Sequence, residues 1–249
     1  MRGTNSTVAA TNETGVGTLD RAVAILDAVE SGAHRFTRIM DATGLPRGTT
    51  HRLIASLERH GFLSRYPGVG YRLGPRLLRL AHEAMRELPL RDVAHPSLER
   101  LARATGESAQ LYVRSGDERV CVDAVESRSE LRTIVPVGAS LPLHAGSAAK
   151  VFLAFAPDRQ RQVRRAAHPV RFDRDIDLAR TRGWATSVDE RQRGVGSVSA
   201  PILGEDDVLL GVVSISGPSS RMGRANARRY VPAVGEAARR IESALGVPR

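Results

Sequence analysis

Cysteine and aromatic residues are scarce in this chain of 249 residues. The single cysteine, Cys121, excludes an internal disulfide bond and a cysteine-based metal cluster. Aromatic residues make up only 4% of the sequence, so its hydrophobic cores must be aliphatic, and aromatic stacking surfaces for single-stranded nucleic acid are not expected. A run of about 18 apolar residues is also missing, which argues against a membrane-spanning helix.

The N-terminal segment has little hydrophobic character. Residues 1–17 lack the apolar core of a secretory signal and are rich in Thr, Asn and Gly. We therefore expect them to form a disordered tail and the protein to be cytoplasmic.

Lysine is almost absent, since Lys150 is the only one and arginine carries the rest of the positive charge. A skew of this kind is typical of GC-rich genomes. The net charge of +10 favours polyanionic partners, and its distribution is more informative. Between His34 and Arg79 the chain holds nine arginines and only two acidic residues, an excess of seven positive charges. Most of the positive excess therefore lies in one short region.

Within that region, the segment Phe36–Arg65 predicts two short helices around a tight turn. Gly44 is a helix terminator, and Pro46 is typical of the start of the next helix. The second helix is amphipathic, with two faces of different chemistry. The inward residues are Thr50, Leu53, Ile54 and Leu57, the outward residues are Gly48, Arg52, Ala55 and Arg59, and Thr49, His51 and Ser56 lie at the borders. A small and basic outward face suits a recognition helix that enters the major groove of DNA.

The flanking segments complete a winged helix-turn-helix over residues 18–74. A preceding helix is predicted from Leu19 to Glu30. Thr18 is its expected cap, and the expected inward residues are Leu19, Ala22, Val23, Leu26 and Val29. Two strands, 62–66 and 70–73, predict a wing. Nine residues are candidates for contact with DNA, with Arg52 the strongest for bases and Arg65 and Arg72 placed for phosphates. The nine are Arg38, Arg47, Gly48, Thr49, His51, Arg52, Arg59, Arg65 and Arg72.

The remainder of the chain predicts a linker helix over residues 75–89 and a second domain over residues 90–249. The linker helix is suited to joining domains or to pairing with a second copy. In the second domain we expect five strands, at 108–114, 119–125, 131–137, 197–203 and 209–216. The expected helices are 92–105, 147–155, 158–167, 176–183 and 226–245, and Pro232 either kinks the last helix or marks its true start. Strands flanked by helices favour a sensor-type domain.

Six motifs in one order resemble those of the IclR family of bacterial transcription regulators. They are TLDRAVAILDAV, GLPRGTTHRLIASLERHGFL, YRLGPRLLRLA, PLHAGSAAKVFLAF, RGWATSVDERQRGVGSVSAPI and VVSISGP. The runs ESAQLYVRSGD, VPVG and SVSAPI are further similar to the subgroup that controls leucine and branched-chain amino-acid biosynthesis genes. The resemblance implies an α+β fold, with the winged head, the linker helix and a GAF-like effector-binding domain.

The same resemblance implies a homodimer or homotetramer that binds a pseudo-palindromic operator in double-stranded DNA and responds to a small-molecule effector. The implied effector residues are Leu141, Ser147, Ala148, Ser187, Val195, Ser197, Ser214 and Ser216. Their hydroxyls and nearby backbone N–H groups can bind a carboxylate without a buried cation. Ser187 stands where some relatives carry an acid, and Gly48 stands where the family often has a hydroxyl residue.

Several alternatives stay open at this point. The serines are equally compatible with ordinary polar positions in strands, and the helix-turn-helix with a protein-interaction module. The chain is also compatible with a constitutive DNA binder, or with an enzyme or carrier anchored by its basic domain. His144 and Lys150 accompany no catalytic triad, metal-ligand spacing or phosphate loop, so we expect packing roles for them and no catalytic residue, metal or cofactor. The sequence does not distinguish a repressor from an activator.

Overall fold

The chain is described by a computed structural model that covers residues 17–86, 89–156 and 159–247. It divides into two compact units, residues 1–87 and residues 88–249. The expected disordered tail at 1–17 falls, apart from Gly17, outside the described residues. Gly17 already belongs to the first helix.

Three helices and a two-stranded sheet form the N-terminal unit. The helices are α1 Gly17–Glu30, α2 Phe36–Thr43 and α3 Arg47–Arg59. As predicted, Gly44 ends α2 in the left-handed conformation, with φ of 66°, and Pro46 precedes the first residue of α3. Gly61, two residues after the end of α3, has φ of 74°, the left-handed conformation in which helices commonly end.

The core of this unit is aliphatic and joins all three helices to the wing. Its buried members are Ile25, Val29, Ile39, Ile54, Leu57 and Leu63. The inward face predicted for α1 is partly wrong, because Leu19 and Val23 are 61% and 45% exposed. Thr18 lies inside α1 and does not cap it. The sequence of α1 offers two overlapping apolar stripes, and packing selects the one that contains Ile25 and Val29.

The wing consists of β1 Leu63–Tyr66 and β2 Gly70–Leu73, paired antiparallel. Gly70 has φ of +104°, and a Cβ at this position would lie 2.0 Å from the carbonyl oxygen of His34. The next residue, Tyr71, donates its N–H to that same oxygen at 2.7 Å. Glycine at position 70 thus lets the wing lie directly on the loop before α2. Helix α4, Pro75–Arg86, follows. Of the linker helix predicted over residues 75–89, residues 87 and 88 lie outside the described residues, and Pro89 already belongs to the next helix.

A six-stranded antiparallel sheet organises the C-terminal unit. In spatial order its strands run β5, β4, β3, β8, β7 and β6. Their bounds are β3 Ser108–Ser115, β4 Glu118–Val125, β5 Ser140–Pro142, β6 Ala185–Val188, β7 Val195–Leu203 and β8 Leu209–Pro218. Side chains alternate between two cores along these strands, so the sheet is covered on both faces.

Helices form the two covering layers. Their bounds are α5 Pro89–Thr105, α6 Ser147–Ala154, α7 Arg159–Arg165, α8 Pro169–Arg182, α9 Ser219–Met222, α10 Arg224–Ala227 and α11 Val231–Ala244. Helices α5 and α11 pack against one core of the sheet, and α6, α7 and α8 pack against the other. The expected α+β architecture, a winged head followed by a helix-flanked sheet, is confirmed.

The structure corrects several predicted elements. The strand expected at 131–137 is wrong: this segment has no regular structure, and Leu131 and Ile134 are exposed. The four-residue strand β6 was missed because it is too short to show an alternating pattern. Helices α5 and α8 begin at Pro89 and Pro169, earlier than expected. Pro232 lies in the first turn of α11, which confirms that it marks the start of the last long helix.

None of the helices in the described part of the chain has the length and apolar character needed to cross a bilayer.

Candidate DNA interface and effector pocket

Helix α3 presents the two faces that its sequence predicts. Thr50, Ile54 and Leu57 are buried, and Leu53 packs against the same core. Gly48, Arg52, Ala55 and Arg59 are exposed on the opposite side. The helix therefore offers solvent a surface of small and basic side chains, the chemistry that a major groove accepts.

The other predicted DNA contacts also lie at the surface. Arg38, Arg47, His51, Arg65 and Arg72 are exposed, and Thr49 is half-buried. Phe36 holds two of them in place, because its ring packs under the guanidinium of Arg47 at 5.8 Å and edge-on against the imidazole of His51 at 6.4 Å. Arg65 lies over the ring of Tyr71 at 5.9 Å. The sequence analysis did not assign a role to Phe36 or Tyr71, since both look like ordinary core residues.

All eight predicted effector residues line one cavity in the C-terminal unit. They are Leu141, Ser147, Ala148, Ser187, Val195, Ser197, Ser214 and Ser216. Tyr112, Arg119, Val135, Gly146, Arg191 and Gln192 complete the lining. The cavity lies between the N-terminus of α6, the face of β3, β7 and β8 that α6 covers, and the loop before β7. Its volume is about 30 Å³.

The serines form a continuous chain of hydroxyl contacts inside this region. The Oγ atom of Ser147 lies 2.7 Å from the Oγ atoms of both Ser197 and Ser199, and Ser199 donates to Ser214 at 2.8 Å. Ser147, Ser199 and Ser214 are at most 3% exposed. Polar positions in strands normally face water, so these buried hydroxyls are not solvated surface groups. They provide a polar wall on an otherwise apolar sheet face.

Arg119 is the principal feature of the cavity that the sequence analysis missed. It is only 3% exposed, and its Nη1 atom donates to the carbonyl oxygens of Pro142 and, at 3.2 Å, Ala145. Its guanidinium lies over the ring of Tyr112 at 5.6 Å. Burial lowers the pKa of Arg119 to about 10, with nearby Arg191 acting in the same direction.

A buried cation therefore lines the cavity together with the hydroxyls that the sequence indicated. A signal was present in the sequence: in the strand RVCVDAV, strand alternation places Arg119 on the same covered face as buried Cys121. The sequence analysis treated this strand only as a β-rich run.

Lys150 belongs to a buried ion network next to the cavity. Its Nζ atom lies 2.9 Å from Asp175 and 2.6 Å from Glu190, and it donates to the carbonyl oxygen of Thr186 at 3.0 Å. Glu190 also accepts the N–H of Gly146 at 3.3 Å. The network fits the expected packing role. A wider groove of about 280 Å³ lies on its other side, and Ser187 lines both spaces.

The two remaining residues singled out from the sequence show no reactive setting. Cys121 is fully buried, and burial, followed by the nearby Asp123, raises its pKa to about 12. His144 has a pKa lowered by burial, then by Arg165 and Arg119. Residues 17–86, 89–156 and 159–247 contain no group of three or more His, Cys, Asp or Glu side chains arranged to hold a metal ion.

Family profiles cover most of the chain. The profile described as "IclR helix-turn-helix domain" matches residues 18–67. The profile described as "Bacterial transcriptional regulator IclR C-terminal" matches residues 82–243.

Curated relatives match over nearly their full lengths. The "Glycerol operon regulatory protein" of Streptomyces griseus is 32% identical, over 94% of this chain and 98% of its own. The "Transcriptional repressor IclR" of Escherichia coli is 28% identical, over 98% of this chain and 96% of its own. These relatives are regulators, which sets aside the alternative of an enzyme with a basic anchoring domain.

Solved structures have the same fold. A putative IclR transcriptional regulator from a Silicibacter species superposes with a TM-score of 0.80 at 23% identity, over 93% of this chain and 97% of that one. An IclR homologue from Microbacterium hydrocarbonoxydans, described as complexed with 4-hydroxybenzoate, has a TM-score of 0.76 at 26% identity. The match covers 92% of this chain and 98% of that one.

Proposed function

Since the chain belongs to the IclR family of bacterial transcription regulators, we propose that it binds operator DNA through α3 and the wing, and that a small metabolite in the C-terminal cavity controls this binding. In this proposal residues 18–74 are the DNA-binding head, residues 75–89 the linker, and residues 90–249 the effector-binding and oligomerisation domain. The protein acts in the cytoplasm.

The observation that carries the DNA-binding part is the outward face of α3 within a strongly basic head. Gly48 and Ala55 leave room for close approach to a groove, while Arg52 and Arg59 provide guanidinium groups for guanine edges and phosphates. A protein-interaction module would not need this concentration of positive charge. The wing carries Arg65 and Arg72 on exposed positions suited to the flanking phosphates.

A second copy of the chain fits the exposed apolar residues of the head and the linker helix. Leu78 and Leu80 on α4 are 75% and 48% exposed, and Leu19 and Val23 on α1 are also exposed. Large apolar side chains at such positions are typical of surfaces that another subunit covers. One short recognition helix makes few base contacts, so a dimer or tetramer on a pseudo-palindromic operator supplies the specificity that one head lacks.

The effector part rests on the buried serine wall and on the homologue complexed with 4-hydroxybenzoate. A ligand that binds one arrangement of the paired heads more tightly shifts the protein toward that arrangement. Operator affinity then changes by the difference between the ligand's binding free energies for the two arrangements, roughly 1–3 kcal/mol. The motifs ESAQLYVRSGD, VPVG and SVSAPI support amino-acid biosynthesis genes as targets. Two similar regulators are instead named for the glycerol operon and the acetate operon.

Gel-shift titration of DNA from the gene's own upstream region tests the head. We expect Arg52→Ala to weaken specific binding by roughly 1–3 kcal/mol and to relax base preference, and Arg65→Ala to lower mainly the salt dependence. Arg103→Ala is the matched control, because it removes one exposed positive charge from α5, outside the head. Equal losses in all three variants would mean that net charge alone, and not α3, binds the DNA.

Thermal-shift measurements with small carboxylates test the sensor. A ligand at about 100 times its dissociation constant stabilises the native protein by about 2.7 kcal/mol. If no compound stabilises the protein or changes operator binding, the chain is a constitutive DNA binder.

A further inference from the structure

We propose that Arg119 binds the negative charge of the effector, so that the cavity selects carboxylates over neutral molecules of the same shape. The inference rests on the proposed effector role of the cavity and specifies the ligand class and the residue that recognises it.

Arg119 is a buried charge without a counter-charge among the described residues. Its recorded acceptors are the carbonyl oxygens of Pro142 and Ala145, and its Nε atom has no hydrogen-bond partner among the described residues. Lys150, the other deeply buried cation, instead has two carboxylates within 3 Å. Removing a guanidinium from water is costly unless an anion compensates it. The fold therefore maintains one buried positive charge that an anionic ligand can neutralise.

The guanidinium of Arg119 lies at the N-terminus of α6. Gly146 precedes that helix with φ of +99°, and a Cβ built on it would lie only 3.1 Å from Nη2 of Arg119. The first N–H groups of a helix have no acceptor within the helix, and the helix dipole makes this end positive. Two positive groups thus converge on the same part of the cavity. An anion between them would interact favourably with both.

The lining of the cavity combines basic, hydroxyl and apolar groups. The cavity wall contains two arginines, Arg119 and Arg191, and no acidic residue. Buried hydroxyls of Ser147 and Ser214 offer further hydrogen bonds. Val135, Leu141, Val195 and the ring of Tyr112 provide apolar surface. This combination fits a carboxylate with a short apolar or aromatic body, whose charge meets the basic residues and hydroxyls while its body meets the apolar residues.

Protonation and size are consistent with this ligand class. With a pKa near 10, Arg119 keeps its charge at neutral pH. The volume of about 30 Å³ is close to that of one water molecule, so a metabolite must displace the exposed rim residues Arg191 and Gln192. The deep end of the cavity, where Arg119 lies, then receives the carboxylate.

The test compares acids with their amides, which have nearly the same shape but no charge. Full-length protein is titrated with acetate and acetamide, isovalerate and isovaleramide, and benzoate and benzamide, and dissociation constants are obtained from melting-temperature shifts. For the acids that bind, we expect wild type to prefer acid over amide by about 10- to 100-fold, the range given by charge-assisted hydrogen bonds. Arg119→Gln should bring the ratio close to one. Arg119→Lys should retain part of the preference for acids, because the positive charge remains but the planar guanidinium is lost.

Two controls separate this role from a structural one. Arg103→Gln removes an exposed charge outside the cavity and should leave the ratio unchanged. The Trp184 unfolding transition, measured without ligand, shows whether the C-terminal unit of each variant is folded. If Arg119→Gln prefers acids as strongly as wild type does, the assignment to Arg119 is wrong while the sensor proposal stands. If wild type responds to no acid and no amide, the sensor proposal and the inference fail together.

Discussion

Replacing Gly70 by alanine should destabilise the DNA-binding head through one defined contact. The added Cβ would lie 2.0 Å from the carbonyl oxygen of His34, more than 1 Å inside van der Waals contact. Relieving the overlap separates the wing from the loop before α2 and breaks the 2.7 Å hydrogen bond from Tyr71 N–H to that oxygen. A positive φ costs alanine roughly 1–2 kcal/mol, and the broken hydrogen bond adds roughly 1–3 kcal/mol. The expected loss is about 2–5 kcal/mol.

Gly68→Ala is the matched control in the same wing. Gly68 also has a positive φ, of +75°, but a Cβ there meets no atom within 4 Å. It should therefore cost only the conformational term, roughly 1–2 kcal/mol. The difference between the two variants isolates the contact with His34.

Urea unfolding followed by two probes measures this difference. Trp184 is the only tryptophan and lies in the C-terminal unit, so its fluorescence reports that unit, whereas helical circular dichroism reports both. We expect Gly70→Ala to move the circular-dichroism transition of the head, to leave the Trp184 transition in place, and to weaken operator binding. A stability within about 0.5 kcal/mol of Gly68→Ala would refute the reasoning, because surface substitutions commonly vary by that amount.

Three further predictions concern other sites. Lys150→Met should destabilise the C-terminal unit by roughly 2–4 kcal/mol in the Trp184 transition, because it removes the cation between the carboxylates of Asp175 and Glu190, each with about a fifth of its side chain exposed; an unchanged transition would contradict the ion network. Cys121 should react with a thiol reagent only after denaturant is added, since it is buried and its pKa is raised to about 12; rapid labelling of the native protein would show that β4 opens readily. Gly48→Ala should stabilise the head by about 0.5–1 kcal/mol in the circular-dichroism transition, because a Cβ there meets nothing within 4 Å and alanine favours a helix. A loss of stability would contradict the open space around Gly48.

The head was predictable because its signals are local. Gly44, Pro46 and Gly61 act through their own backbone conformations, and the faces of α3 follow from a period of 3.6 residues. The exposed face of α1 was misassigned because two apolar stripes overlap there, and only contacts with α2 and α3 decide between them. The wing strands followed from the glycines and proline of their turn.

The cavity was predictable only in part. Family resemblance grouped its eight residues, and the structure places them around one space, although their role in binding stays a prediction. Arg119 was missed because its importance depends on the strands and the helix that surround it. The segment at 131–137 contains β-branched residues but pairs with no strand, since β5 at Ser140–Pro142 takes the place beside β4. Propensity alone does not reveal that competition.

The contacts of Glu190 have a consequence for the rate of ligand exchange. Its carboxylate joins the rim of the cavity to Lys150 and to the backbone of Gly146, while the neighbouring Asp189 accepts the N–H of Gly194 at 2.6 Å. A metabolite that displaces Arg191 and Gln192 must disturb these charged contacts before its own contacts with the cavity form. Association should therefore be slower than simple collision, as is usual when binding waits for a rearrangement. In the proposed mode of binding, dissociation requires the same rearrangement and should be slow as well.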